Sequence, residues 1–132
     1  MRIQGIYAAL TTKNMVDAER FYTILFGRGP DDRPMEGLIQ WRDIAGANVQ
    51  IFHDEKSAGS GRCTIVVPQM SDARQTLSEA GLSIKDERAG DFGKIAQLDD
   101  PDGNQITLAE PPSSENQNIP CPTRRRFGPL SI

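Results

Sequence analysis

Histidine is almost absent from this 132-residue sequence, with His53 the only one. A lone imidazole excludes a His-rich metal centre, and it leaves no Ser-His-Asp set built around a recognisable nucleophile elbow. Cysteine is nearly as scarce. Cys63 and Cys121 are the only two, they lie far apart, and they form neither a CxxC motif nor a metal pair. Cys63 lies in an apolar run, where a free thiol behaves as a small core hydrophobe. There is no apolar run of the roughly 18 residues a membrane span needs, so no membrane partner is expected. There is no excess of positive charge either: the net charge is -3 and the pI about 5.1. That speaks against nucleic acid, which a basic face usually marks. Residues 1–10 show no signal-peptide cleavage pattern and read as a strand, so a cytoplasmic protein is expected.

What is present has the make-up of one folded domain, with 37% apolar and 25% charged residues. The chain also repeats itself. LTTKNMVDA at 10–18 returns as IVVPQMSDA at 65–73, an offset of 55 that pairs Met15 with Met70, Asp17 with Asp72 and Ala18 with Ala73. Each copy opens with an apolar strand, predicted over 3–12 and 62–67, and runs into an amphipathic helix. In the first helix Ala18, Phe21, Tyr22 and Leu25 make one apolar face. Asn14 is its expected N-cap and Gly27 its stop. Ala73, Leu77 and Ala80 make a thinner stripe in the second, which ends at Gly81. Strands follow at 38–42 and 48–52, then at 94–98 and 105–109, joined by tight turns at 43–47 and 99–104. Each half thus reads βα followed by about three strands. Two such halves make an α+β domain with an open, curved sheet, helices outside and a cleft within.

Small motifs add little. Gly59-Ser60-Gly61 is not followed by a helix, so it is not expected to cradle phosphate. Asp99, Asp100 and Asp102 cluster in a turn that reads as solvated. The tail from Pro111 is rich in Pro, Ser and Asn. Its Arg124-Arg125-Arg126 run reads as a solvated one.

Three stretches together resemble the glyoxalase/bleomycin-resistance (vicinal oxygen chelate) superfamily. They are LTTKNMVDAERFY at 10–22 with Leu25, Phe26 and Gly27; the repeat strand and helix at 64–81; and LDDPDGNQITLAE at 98–110. The resemblance implies a single domain over 1–111, with βαβββ modules at about 1–56 and 60–111 forming a half-barrel. It also implies a small-molecule cleft and, commonly, a homodimer. The remaining tail, 112–132, is expected to pack on the domain or on a partner subunit.

Metal enzymes of that superfamily carry His, Glu or Gln ligands on matching concave strands. The resemblance puts the four positions at Tyr7, Gln50, Arg62 and Thr107. Strand alternation agrees, because Tyr7 lies opposite Ile6, Ala8 and Leu10, and Arg62 opposite Cys63, Ile65 and Val67. Only Gln50 offers a neutral oxygen of the expected kind, and Arg62 is a permanent cation. A metal-ligand-deficient member is therefore expected, with no cofactor and no glyoxalase or dioxygenase activity. His53 falls on the face opposite Gln50 and reads as a surface or strand-end residue. Tyr7, Gln50, Phe52, Arg62, Thr64 and Thr107 are expected to line the cleft, joined by either Gln40 or Trp41. Arg62 either favours an anionic ligand or pairs with Asp54 or Asp91. The implied function is binding of an unidentified small molecule, such as sequestration of an antibiotic or metabolite. The alternative is a metal-independent isomerase or lyase, with Tyr7 as acid/base and Arg62 stabilising an oxyanion.

Overall fold

A computed structural model describes residues 1–112; the tail expectations, Cys121 and the arginine run lie outside the described residues. Strand β1 (Tyr7–Thr12) leads to helix α1 (Met15–Phe26), then β2 (Asp32–Met35), β3 (Leu38–Ile44) and β4 (Ala47–His53). The pattern returns as β5 (Arg62–Val66), α2 (Met70–Glu79), β6 (Lys85–Gly90), β7 (Gly93–Asp99) and β8 (Gln105–Glu110). Each module makes its own four-stranded sheet, in the orders β1-β4-β3-β2 and β5-β8-β7-β6. The outer strands β1 and β5 pair in parallel with β4 and β8, and the other pairs are antiparallel. Among the described residues the two sheets are not joined by a ladder and do not close.

Strand alternation sorts the side chains. Ile39, Trp41, Val49 and Ile51 in the first sheet, and Ala96, Leu98, Ile106 and Leu108 in the second, point toward the helices and are buried. They meet Ala18, Phe21 and Tyr22 of α1 and Met70 and Leu77 of α2. Asn14 caps α1 as expected, its side-chain oxygen accepting from the Asp17 N–H at 3.1 Å. Gly27, at φ 80° in the left-handed region, ends it. Gln69 gives α2 no such cap; the Glu110 carboxylate instead accepts from the Met70 N–H at 2.6 Å.

Two expectations about elements need correcting. The first strand begins at Tyr7, not at residue 3. Its partner β4 reaches back only to the β3–β4 turn, and Tyr7 already lies opposite Asn48, so among the described residues no strand pairs with residues 1–6. The turn around 100–104 is solvated only in part: Asp99, Pro101 and Gly103 are exposed, whereas two of its polar side chains are buried. Asp100 is 5% and Asn104 0% exposed. Strands β2 and β6 carry no apolar alternation, and all six residues of β6 are exposed. Pattern alone therefore did not place them.

Candidate functional site: the concave face and the module seam

The concave face of the first sheet carries Tyr7, Gln40, Arg42, Gln50 and Phe52, fixed by the ladder that sets Gln40 opposite Gln50 and Leu38 opposite Phe52. The choice left open between Gln40 and Trp41 falls to Gln40. Trp41 is corrected to the core: it is fully buried on the helix side, edge-on to Phe26 at 5.3 Å, with its indole N–H donating to the Arg28 carbonyl at 2.8 Å. On the second sheet Arg62, Thr64, Gln97 and Thr107 share the concave face, with Thr64 and Gln97 both opposite Thr107.

The two sheets repeat one polar device. Gln40 Nε2 donates to Gln50 Oε1 at 3.1 Å, and 57 residues later Thr107 Oγ1 donates to Gln97 Oε1 at the same distance. Gln97 was missed in the sequence, although the offset between the modules' closing strands points to it. Arg42 was missed as well. Its Nε donates to the Tyr7 hydroxyl at 3.0 Å while its Nη2 pairs with Asp32.

These contacts bear on a metal. The Gln50 oxygen already accepts from Gln40, the Tyr7 oxygen faces a guanidinium, Thr107 donates to Gln97, and Arg62 is a cation. Among the described residues no three His, Cys, Asp or Glu side chains converge either. A divalent cation asks for carboxylate, imidazole or carbonyl oxygen, and of the four positions only Gln50 carries a side-chain oxygen of that kind. His53 lies at the end of β4, 3.6 Å from the Glu55 carboxylate, on the face opposite Gln50. Arg62 is exposed and makes no ion pair among the described residues; neither Asp54 nor Asp91 reaches it. Cys63 faces the helix side, half-buried, and burial pushes its thiol above the ordinary value.

An open groove of about 1140 Å³ lies in the first module. Gln50 and Phe52 line it, joined by Met15, Val16, Met35 and Leu38, with Glu36 and His53 on its polar margin. A bidentate pair between Arg33 and Glu19 (2.7 and 2.6 Å) closes one side and holds the Glu19 carboxyl below its ordinary value. The groove brings together two of the expected residues. Tyr7, Gln40, Arg62, Thr64 and Thr107 are not among its lining residues, and no periodicity in the sequence announced Met35 or Leu38 as its wall.

Where the modules meet, the turn at 100–104 grips the first module. Tyr22 Oη donates to Asp100 Oδ2 at 2.6 Å, Thr12 Oγ1 donates to Asp102, and the Lys13 N–H donates to Asp102 Oδ1 at 3.1 Å. Burial first, and then the bond to Asp100, pushes the Tyr22 phenol well above its ordinary value, so it remains a donor. Gly59-Ser60-Gly61 is the strand of linker pressed against this turn. A Cβ at Gly61 would lie 2.6 Å from Leu10 Cδ2, and one at Gly59 would collide with the Asp102 carbonyl.

No protein-family model matches the chain, and no curated protein matches it in sequence. Solved structures do match in shape. A glyoxalase/bleomycin resistance protein from Catenulispora acidiphila superposes with TM-score 0.74 at 24% identity, over 82% of this chain and 98% of its own. A bleomycin-binding protein solved with bleomycin gives 0.64 at 17%, over 82% and 98%. An antibiotic-binding protein from a Streptomyces species gives 0.66 at 22%, over 84% and 98%. The chain, with its two βαβββ units and two open four-stranded sheets, has the glyoxalase/bleomycin-resistance fold.

Proposed function

We propose that the protein binds a small, largely apolar organic molecule in the first-module groove where it opens onto the concave face, without a resident metal. The observation that carries this is the groove itself. Met15, Val16, Met35, Leu38 and Phe52 form an open apolar wall, with Gln50 and Glu36 as its polar contacts. A mostly apolar hollow with few polar groups is the usual build of a ligand site. Two flexible thioethers let such a wall adapt to irregular shapes. Structural neighbours that bind bleomycin or another antibiotic support the same reading. Arg62, exposed and without an ion pair among the described residues, gives the concave face a preference for a carboxylate or phosphonate.

The test is a thermal-shift comparison of 1-naphthoate with 1-naphthylmethylamine. The acid is expected to raise the melting temperature of the wild type, to lose its effect in Met35→Asp, and to weaken at least fivefold in Arg62→Met. No shift from either probe, or shifts indifferent to Met35→Asp, would overturn the reading. A shift from the amine alone, untouched by Arg62→Met, would remove Arg62 from the site and move the charge preference to Glu36.

One contact favours a second reading, a metal-independent isomerase or lyase. Arg42 Nε donates to the Tyr7 hydroxyl at 3.0 Å and holds it on the concave face as a candidate acid/base, with Arg62 available for an oxyanion. Recovery of the bound molecule unchanged after long incubation separates binding from turnover. The proposal also includes a homodimer, because Ile3, Ile6, Val66 and Phe92 are exposed and an edge strand is open on each sheet. Light scattering at micromolar concentration checks it.

A further inference from the structure

We infer that Asn104 is the positioning residue of the cleft: its carboxamide stands in for the missing ladder between β1 and β5. It thereby sets where Arg62 of the second module stands relative to Tyr7 and Gln50 of the first. Its importance for binding rests on the reading that the concave face holds a ligand; the seam itself does not.

Among the described residues both β1 and β5 are outermost strands of their sheets, and no ladder pairs them. Their ends are nevertheless tied through one side chain. Asn104 Oδ1 accepts from the Gly61 N–H at 2.8 Å, and its Nδ2 donates to the Thr11 carbonyl at 2.9 Å and to Asp100 Oδ2 at 2.7 Å. Gly61 directly precedes Arg62. Thr11 is on β1, on the same face as Tyr7. The carboxamide therefore spans the two backbones that carry the two halves of the concave face. It is fully buried, so water cannot replace these bonds.

Asp100 holds the amide from behind. Its Oδ1 accepts from the Asn104 and Asp102 N–H groups, each at 2.9 Å, and its Oδ2 takes Tyr22 as well as Asn104. Asparagine alone fits this role. Aspartate lacks the donor, leucine lacks both functions, and glutamine is one carbon too long. The approach across the seam is close: a Cβ at Gly61 would meet Leu10 Cδ2 at 2.6 Å and Asn104 Oδ1 at 3.0 Å.

Pulsed electron-electron spin resonance on the full chain tests this. Labels go at Arg20→Cys on α1 and Ser78→Cys on α2, in a Cys63→Ala, Cys121→Ser background. The parent is expected to give one narrow distance. Asn104→Ser, too short to reach both backbones, is expected to broaden it at least twofold. The helical dichroism and the emission of Trp41, which is packed inside the first module, are expected to stay unchanged. In the same pair the dissociation constant for 1-naphthoate is expected to rise about tenfold. Gly61→Ala acts on the seam from the other side and is expected to broaden the distance too, should Asn104→Ser not fold. A distance as narrow as the parent's in the folded variants overturns the inference whatever the ligand does. A broadened distance with unchanged 1-naphthoate affinity overturns the positioning role. Absence of 1-naphthoate binding to the parent counts against the binding proposal, and the distance measurement then decides the seam alone.

Discussion

The two modules share a topology and differ in how well they are filled. In the first, α1 lays Phe21, Tyr22 and Leu25 over a sheet that answers with Ile39 and Trp41. Moving 55 residues along the helix and 57 along the strands replaces these with Thr76, Leu77, Ala80, Ala96 and Leu98. The second helix thus covers its sheet with smaller side chains. A crevice of about 260 Å³ remains beside it, lined by Ile65, Ala73, Thr76, Leu77 and Leu108, with Leu25 of α1 at its margin. The first helix is also gripped by the 100–104 turn through Tyr22, whereas the corresponding turn at 43–47 is mostly exposed. The first module, with the larger side chains in its core, carries the groove. The second contributes Arg62 and the turn that sets the seam.

The comparison breaks most visibly if its two cores are hollowed out in turn. Trp41→Ala is expected to cost about 4 kcal/mol and Leu98→Ala about 3 kcal/mol, read as changes in urea midpoint at constant slope. Equal losses, or a larger one at Leu98, would contradict the ranking of the cores. Asp100→Ala leaves the donors from Tyr22, Asn104 and Asp102 unmatched in a buried place. It is expected to cost about 3 kcal/mol, and a loss under about 1 kcal/mol would mean the turn is not a clasp. Tyr22→Phe removes only one of those donors and keeps the ring packing, so about 1–2 kcal/mol is expected by the same measurement. At the small end, Thr76→Leu fills the crevice beside α2. It is expected to gain about 0.5–1 kcal/mol, seen as a higher melting temperature. A loss there would show that the crevice is an arrangement the neighbouring side chains need.

Much of this asymmetry could be read in the sequence, and its source shows why some could not. The helix stripes, the Asn14 cap, the Gly27 stop and the alternation in β3, β4, β7 and β8 are local periodicities, and periodicity survives in a single chain. The alternation also assigned Tyr7, Gln50, Arg62 and Thr107 to one side of their strands, as the register now places them. Strands β2 and β6 hide because edge strands exposed on both faces need no apolar period. Phe92, which folds back over Gly90 at the β6–β7 turn, likewise has no local signature. The seam was misread for another reason. Aspartate, proline, glycine and asparagine in a row suit a tight turn equally well in water or against a neighbour. Only the fold brings Thr11, Tyr22 and Gly61 to it, from sequence distances of 43 to 93 residues. Trp41 could not be separated from Gln40 for a simpler reason, since adjacent strand residues point opposite ways and one must know which way is in.

The measurement that bears most directly on the account is a proton–nitrogen correlation NMR titration of the full chain with 1-naphthoate. The account predicts saturable shifts at Leu38, Gln50 and Phe52 along the groove and at Arg62 across the seam, with the amides of Ala73, Thr76 and Leu77 still. Shifts confined to those three residues beside the second-module crevice, or no saturable shifts at all, would contradict it.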